Sequence, residues 1–504
     1  MQNSSLASDP HTLALFENIR PTTHRNPKPS GKYNLVVIGA GPAGLVAAAG
    51  AAGLGAKVAL IEREVMGGDC LFTGCVPSKA LIACSRAAHD ATLDGSFGVS
   101  ASKPTVDFQR VMERMRRLRT QISANDSVKR FSALGIDVFL GEGRFSGSDS
   151  IDVAGETLRF ARALIATGSG PVIPTIPGLA EAGFDTNLSV FDWTVQPESL
   201  IVLGGGAIGC ELAQTFQRLG TRVILLEAFP RLLARDDADA AEVVRNSMSK
   251  DGVEIHLSTK VIEIKKSSDG KRVVSVEQNG QTHQFTGDRI LVATGRKPVL
   301  DALNLNAAGV DSDVNGVITD DFLMTSNARV YAAGDVCSKY KFTHAADAMA
   351  RLVLRNALFF GNARVSKLVI PWATYTDPEV AQVGVTAETA RRDGILIDVI
   401  TVDMRDVDRA ILDGNVEGFG RLVLKKGTGT ILGATIVAPH AGDMIGEAAL
   451  AITSNLGAGS LSSTIHPYPT VGEVWRKLGD SFNRTRLTPR TKSILSTLLS
   501  FRRS

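Results

Sequence analysis

The sequence predicts an α/β protein, and two observations carry that expectation. An apolar strand that runs into a glycine-rich turn, a helix and a second strand ending on a glutamate occurs twice, with turns opening at Gly39 and Gly204, 165 positions apart. The composition agrees: 44% hydrophobic residues, 21% charged residues and 49 glycines describe a globular chain with many tight turns rather than a disordered one. At 504 residues the chain exceeds what one hydrophobic core serves, so two to four domains are expected. A formal charge of +3 provides no large field for steering nucleic acid, which favours small-molecule chemistry.

Residues 1–31 are polar, contain prolines and lack a sustained apolar run, so they predict a flexible extension that is not cleaved. Residues 35–61 are long and apolar enough to suggest a membrane span. Gly39, Gly41, Gly44 and Lys57 interrupt that run, and β-branched ends around an alanine-rich middle fit strand, helix, strand. In "LVVIGAGPAG" the strand leads into Gly39-Ala40-Gly41-Pro42-Ala43-Gly44, whose glycines let a pyrophosphate approach a helix N-terminus. Glu62 closes the next strand where a carboxylate accepts ribose hydroxyls. The second copy, "LIVLGGGAIG", supplies Gly204, Gly206, Ala207, Ile208 and Gly209, and "RVILLE" ends on Glu227. Gly44 to Glu62 and Gly209 to Glu227 have the same spacing, so two Rossmann-like dinucleotide-binding folds are expected.

"ALIATGSGPVIP" and "ILVATGRKP" are strand-then-turn segments centred on Gly168 and Gly295. Their places before and after the second unit mark crossings into and out of an inserted domain. "VYAAGDV" brings Asp335 to a strand end beside Gly334, and a helix is expected to start near Thr343, where its dipole favours a negative charge.

In "GGDCLFTGCVPSK" two of the chain's 5 cysteines, Cys70 and Cys75, stand among glycines. An odd cysteine number in a large chain does not make a secreted disulfide framework, so the pair needs a local explanation, and a reducing cytoplasm is the expected compartment. On a regular helix, residues five apart rise about 7.5 Å and diverge by about 140°, so the segment must bend for the sulfurs to meet. Gly67, Gly68 and Gly74 supply that freedom, and "VPSKALIACSRAAH" continues as a helix. Cys75 near its N-terminus is then a reactive thiol. Cys84, Cys210 and Cys337 are expected to be small buried side chains.

From about Tyr33 to Asp480 these motifs resemble the class I pyridine nucleotide-disulfide oxidoreductases, flavoproteins that include dihydrolipoamide dehydrogenase, glutathione reductase and mercuric reductase. The resemblance implies FAD on the first fingerprint, with Gly39, Gly41, Pro42, Ala43, Gly44, Glu62, Arg63, Gly68, Lys79, Thr167, Gly168, Gly334, Asp335, Thr343 and His344 around it. It implies NADH or NADPH on the second, at Gly204, Gly206, Ala207, Ile208, Gly209, Glu211, Glu227 and Gly295. Glu227 favours NADH because a carboxylate repels the 2′-phosphate of NADPH; Arg231 and Arg235 follow closely and could make that phosphate tolerable. The resemblance also implies a redox disulfide between Cys70, the outer interchange thiol, and Cys75, the charge-transfer thiolate facing the flavin. Lys79 and Glu211 match the family's ion pair beside the ring. An α+β C-terminal dimerisation domain, and hence a homodimer, is implied too.

Disulfide reductases of the family end on a His-Pro-Thr run, with the histidine oriented by a glutamate five residues on. Here the run is "HPYPTVGEV", so Tyr468 stands in the histidine's place ahead of Glu473, and His466 lies two residues earlier. A phenol with a pKa near 10 is a poor acid–base group for thiol exchange at neutral pH. Mercuric reductases also put tyrosine there, and Cys70 with Cys75 can hold a soft substrate metal transiently. They also carry a C-terminal cysteine pair, whereas the last cysteine here is Cys337. The reading is therefore an FAD-dependent NAD(P)H oxidoreductase resembling mercuric reductases. A disulfide reductase, in which His466 replaces the missing histidine, is the alternative; a slow redox-sensing or membrane-tethered module is the alternative of another class.

The expected division is 1–31 as extension, 32–166 and 295–366 as two parts of an FAD domain, 167–294 as the NAD(P) domain, 367–482 as the dimerisation domain and 483–504 as a basic tail. In that tail Ile494, Leu495, Leu498 and Leu499 form an apolar stripe flanked by Arg490, Lys492, Arg502 and Arg503, which points to packing on the body or to peripheral membrane contact.

Overall fold

A computed structural model of the chain describes residues 8–92, 97–99 and 104–503. It divides into two compact units, residues 1–204, 215–226 and 260–368 in one, and 205–214, 227–259 and 369–504 in the other.

The first unit contains both parallel sheets that the repeat predicts. In the first, Lys32–Ile38 pairs in parallel with Val58–Glu62 and with Glu156–Ile165, and Val330–Ala332 pairs with the end of Glu156–Ile165. Val58–Glu62 and Val330–Ala332 are buried throughout, as are the last four residues of Lys32–Ile38 and the last three of Glu156–Ile165, as parallel strands covered on both faces must be. A β-hairpin of Arg144–Gly147 and Ser150–Val153 extends the sheet on its antiparallel side. In the second, Ser199–Leu203 lies between Arg222–Leu226 and Arg289–Val292, again in parallel. Ile201, Leu203, Ile224, Leu226 and Val292 form its core.

The turns repeat as well. Gly39 N–H bonds Ile61 O at 2.8 Å and Gly204 N–H bonds Leu226 O at 2.9 Å. The first turn explains its own glycines: Gly39 has φ +104°, and a Cβ on Gly44 would lie 1.8 Å from Gly39 O. The helix Pro42–Gly53 begins on proline at its first turn, where no N–H is needed, and its small residues let the helix Thr343–Leu358 pack closely. The crossings at Gly168 and Gly295 form a two-stranded antiparallel ribbon, Ser169–Pro171 against Arg296–Pro298.

The N-terminal segment is not the flexible extension its composition predicts. Residues Pro10–Ile19 form a helix capped by Asp9, which accepts Thr12 N–H at 2.7 Å. Leu15 and Ile19 are fully buried. The docking is electrostatic too. Burial opposes ionisation of Asp9, yet the Thr12 hydrogen bonds and the Arg116 guanidinium, 3.3 Å away, hold its carboxyl below the usual range. Beyond the helix, Asn26 exchanges hydrogen bonds with the Leu140 backbone at 2.8 and 3.1 Å. Residues 1–7 lie outside the described residues.

In the second unit a five-stranded antiparallel sheet orders Pro371–Thr374, Glu379–Gly384, Ile431–Ala438, Phe419–Lys425 and Ile397–Asp403. Helices Ala441–Thr453, Ala458–Ser463 and Glu473–Thr485 close its core around Trp475, the α+β arrangement expected. The tail forms a helix, Pro489–Phe501, with no buried residue.

Ile19→Ala is expected to cost about 2–5 kcal/mol because the cavity lies in a packed interface, whereas Leu13→Ala, on the exposed side of the same helix, stays within about 0.5 kcal/mol. Thermal unfolding of the two variants distinguishes a docked helix from a mobile one.

Candidate redox-active site

The thiol segment is built on backbone contacts with the first glycine turn. Gly67 and Gly68 have φ of +89° and +58°, Gly67 N–H bonds Ala40 O at 2.9 Å, and a Cβ on Gly68 would sit 2.8 Å from Gly41 Cα. A short helix, Gly68–Phe72, then carries Cys70, and Gly74 breaks it before the helix Cys75–Asp90 begins. The bend required by the spacing is therefore present. Cys75 stands at the first position of its helix, exposed, while Cys70 is half-buried.

The two cysteines are separate thiols that hydrogen-bond each other, and this contact, followed by burial, pushes the Cys70 pKa well above the ordinary thiol range. Thr343, the first residue of its helix, brings its hydroxyl to both sulfurs, 3.2 Å from Cys70 Sγ and 3.5 Å from Cys75 Sγ. Two helix N-termini thus meet at the thiol pair, a setting that favours negative charge on sulfur. Lys79 lies one turn along from Cys75, half-buried.

A polar chain that the sequence reading missed runs from the residue beside Cys70 to Asp335. Asp69 accepts hydrogen bonds from Thr73 Oγ1 at 2.6 Å, Asn187 Nδ2 at 2.9 Å and Arg296 Nη2 at 2.8 Å. Arg296 Nε donates to Ser169 Oγ at 2.9 Å, and Ser169 Oγ donates to Asp335 Oδ2 at 2.5 Å. A signal existed: Ser169 and Arg296 each follow a glycine of the paired "ATG" turns.

The thiol segment is also braced from behind by the N-terminal helix. Phe16 packs edge-on against Phe72, with ring centroids 5.7 Å apart, and Met66 N–H bonds Ile19 O at 3.1 Å. Arg119, almost fully buried, donates to Phe72 O at 2.9 Å and lies over the Phe72 ring. Burial pushes Arg119 down to about 10, so it remains a cation at neutral pH.

The residues at the first turn fit a dinucleotide. A Cβ on Gly41 would meet nothing within 4 Å, which leaves the space over the helix N-terminus open to a pyrophosphate. Glu62 accepts Ala40 N–H at 2.7 Å and Glu64 N–H at 2.6 Å. Burial pushes its carboxyl up against the pull of those donors, and lone pairs remain for ribose hydroxyls. Gly206 leaves the same open space, and Glu227 accepts the N–H groups of Gly205 and, at 2.8 Å, Phe229. Arg231 is engaged by Glu388 at 2.9 Å and Arg235 is exposed. His344 stacks on Phe342.

Four further candidates lie in the second unit. Glu211 is buried and accepts Tyr375 N–H at 3.0 Å. Tyr468, exposed, donates to Asp408 Oδ2 at 2.9 Å, which holds its phenol above the usual pKa. Glu473 is buried and pairs with Arg476. His466 Nε2 meets Glu447 Oε1 at 3.0 Å and Nδ1 meets Thr464 O at 3.1 Å. Glu447 carried no sequence signal, being 19 residues from its partner. Of the other cysteines only Cys210 is fully buried; Cys84 and Cys337 are half-buried, touched by Arg114 and by Gly334 O. No group of three or more His, Cys, Asp and Glu residues able to hold a metal ion occurs among the described residues.

Residues 33–350 match the model of the pyridine nucleotide-disulphide oxidoreductases, and residues 370–478 match the dimerisation domain of the same family. The chain belongs to that family. It shares 35% identity over 442 residues with a mercuric reductase of Bacillus cereus, covering 88% of this chain and 70% of the relative. A dihydrolipoyl dehydrogenase of Thermus scotoductus is 34% identical over 461 residues, covering 90% and 98%. Among solved structures, the Cu(II) complex of the HOCl-induced flavoprotein disulfide reductase RclA from Escherichia coli superposes with a TM-score of 0.79 at 27% identity, covering 90% of this chain and 99% of that one. The two fingerprints are thus those of a family that contains FAD and uses NAD(P)H. No described helix is long and apolar enough to cross a membrane.

Two outcomes test the site. Gly41→Val is expected to leave the stability of the flavin-free chain within about 0.5 kcal/mol while lowering FAD affinity at least about tenfold, by filling the pyrophosphate seat. Arg119→Met leaves Phe72 O unpaired, a loss of about 1–3 kcal/mol; mass spectrometry of alkylated, reduced protein should show Cys70 modified several-fold faster.

Proposed function

We propose that the chain is an NAD(P)H-dependent reductase that delivers two electrons through Cys70 and Cys75 to a soft metal ion, Hg(II) foremost. Bound FAD supplies the two-electron relay between the nicotinamide and the thiol pair. The observation that carries the reading is the state of the proton-handling groups. Reducing a disulfide to two thiols takes up two protons, whereas reducing Hg(II) to Hg(0) takes up two electrons and none. At the place of the family's histidine, Tyr468 is held in its protonated form by Asp408, and Glu473 is paired with Arg476 rather than with Tyr468. That arrangement lacks a proton shuttle there, which metal reduction does not need.

In this reading Cys70 and Cys75 are the substrate ligands. Two thiolates suit a soft ion and discriminate against hard cations that require oxygen donors. When two electrons reach the bound ion, both metal–sulfur bonds break, each sulfur keeps its pair as thiolate, and the neutral atom leaves. The Thr343 hydroxyl and the two helix N-termini stabilise those thiolates. By the family resemblance Cys75, the more open sulfur, would face the flavin ring and Cys70 would meet the incoming ion first. The similarity to mercuric reductases supports this assignment. NADH is the preferred donor, since the buried Glu227 carboxylate repels a 2′-phosphate while Arg231 is occupied by Glu388. The functional unit is a homodimer formed through the dimerisation domain.

A second reading rests on His466. Its pairing with Glu447 provides a histidine–carboxylate couple close in sequence to the family's own, and similarity to dihydrolipoyl dehydrogenases favours disulfide chemistry through it.

NADH and NADPH oxidation by the purified holoenzyme with Hg(II), Cu(II), lipoamide and glutathione disulfide separates the readings. Hg(II)-dependent oxidation is expected to exceed the disulfide rates and to fall more than about a hundredfold in Cys70→Ser or Cys75→Ser, as for other groups that take part directly in the reaction. Brisk lipoamide turnover abolished by His466→Gln, with indifference to metals, sinks the metal assignment. A flavin that stays oxidised for minutes after mixing with NADH supports a slow redox sensor instead.

A further inference from the structure

We propose that the C-terminal helix is a membrane-surface anchor that lays its apolar face on a bilayer containing anionic lipid. The helix Pro489–Phe501 is a formed element: Thr488 caps it by accepting Thr491 N–H at 3.2 Å, and proline occupies the first turn. None of its residues is buried. Ile494, Leu498 and Leu499 are 70%, 52% and 59% exposed, values that belong to side chains without a partner surface. At 100° per residue, Ile494, Leu495, Leu498, Leu499 and Phe501 fall within roughly 160° of the circumference. Ser493, Ser496, Thr497 and Ser500 fill the opposite face.

Charge identifies the occupant. Residues 481–504 contain Arg484, Arg486, Arg490, Lys492, Arg502 and Arg503 and no Asp or Glu. Of the chain's 55 Lys and Arg and 52 Asp and Glu, the remaining sequence keeps 49 and 52, so the tail reverses the sign of everything before it. A second copy of the tail would set these cations against one another with no acid to compensate. A nucleic acid would satisfy the cations and leave the leucine face in water. An anionic bilayer takes both, with the apolar side chains at the acyl boundary and the guanidinium groups among the headgroups. Thirteen residues make a helix of about 20 Å, short of the hydrocarbon thickness, so the helix lies on the surface rather than crossing it. The helix Pro489–Phe501 also lies beyond residue 478, where the match to the family ends.

Full-length holoenzyme is tested by co-sedimentation with phosphatidylcholine vesicles, with and without phosphatidylglycerol, at low and high salt. Binding at least about tenfold tighter to the anionic vesicles, weakened by salt, is expected. Ile494→Ser with Leu498→Ser, and separately Arg490→Ser with Arg502→Ser and Arg503→Ser, should each abolish it. Both variants keep NAD(P)H oxidation, because no residue of the helix is buried and none belongs to the thiol site or the glycine turns. No binding to anionic vesicles at low salt, or equal binding to neutral ones, overturns the proposal. So does a fall in molar mass, by light scattering, in the Ile494→Ser, Leu498→Ser variant, which assigns the face to a second copy. Vesicle binding is read without turnover, so it stands or falls independently of the electron acceptor.

Discussion

The hydrogen bond from Gly67 N–H to Ala40 O ties the thiol loop to the first glycine-rich turn. It joins backbone to backbone, and Gly68 brings the two chains closer than any side chain would permit. The same turn is held from its other side by Glu62, which accepts Ala40 N–H. The first glycine turn, Glu62 and the cysteine loop therefore share one residue, Ala40, whose N–H and C=O are both committed. Position along the loop follows from this: the short helix from Gly68 puts Cys70 in place, and Gly74 restarts the chain so that Cys75 opens a new helix. The sulfurs meet because the backbone is anchored a few residues upstream, and flanking side chains decide their chemistry rather than their location.

The second copy of the turn shows that this anchor is a property of the repeated unit. Gly205, the counterpart of Ala40, donates to Glu227 and accepts from Leu233 N–H at 2.8 Å. Both donating residues, Gly67 and Leu233, have positive φ, +89° and +46°. Glycine adopts that backbone without strain and leucine at a cost of about 1–2 kcal/mol. In each copy the glutamate's carboxylate organises its own turn by accepting two backbone N–H groups. One copy extends its anchored loop into a thiol pair; the other extends it into the arginine-containing segment around Arg231.

Much of this was legible because it rests on backbone requirements that leave a residue signature. Gly39, Gly44 and the matched spacing to Glu62 and Glu227 announce two nucleotide folds, and the glycines around Cys70 announce the bend. The ribbon between Ser169–Pro171 and Arg296–Pro298 follows from two similar turns on either side of an insertion. What stayed hidden are side-chain meetings at long separation. Thr343 is 273 positions from Cys70, Arg296 is 227 from Asp69, and neither pairing has a local pattern. The N-terminal helix is a different case. Asp9 before Pro10 is an N-cap signature, and Thr12, Leu15 and Ile19 follow helical spacing, but the polar, proline-containing flanks outweighed so short a stripe.

The two terminal helices sharpen what makes such a stripe dock. Each lies outside the residues matched to the family, each is capped by a side-chain oxygen, and each begins on proline. Local helix-forming chemistry is thus equivalent, and an isolated helix of this length is marginal without a surface to cover it. The N-terminal helix has its surface: Asp9 finds Arg116, and Phe16 finds the Phe72 ring next to the redox helix. Its capping carboxylate is complemented by a cation of the body it packs on. The C-terminal helix carries only cations and meets no acid within its own segment, so its apolar face has no such complement in the sequence around it. Docking is decided by the partner surface offered to the stripe, and the sign of the tail's charge names the kind of surface that completes it.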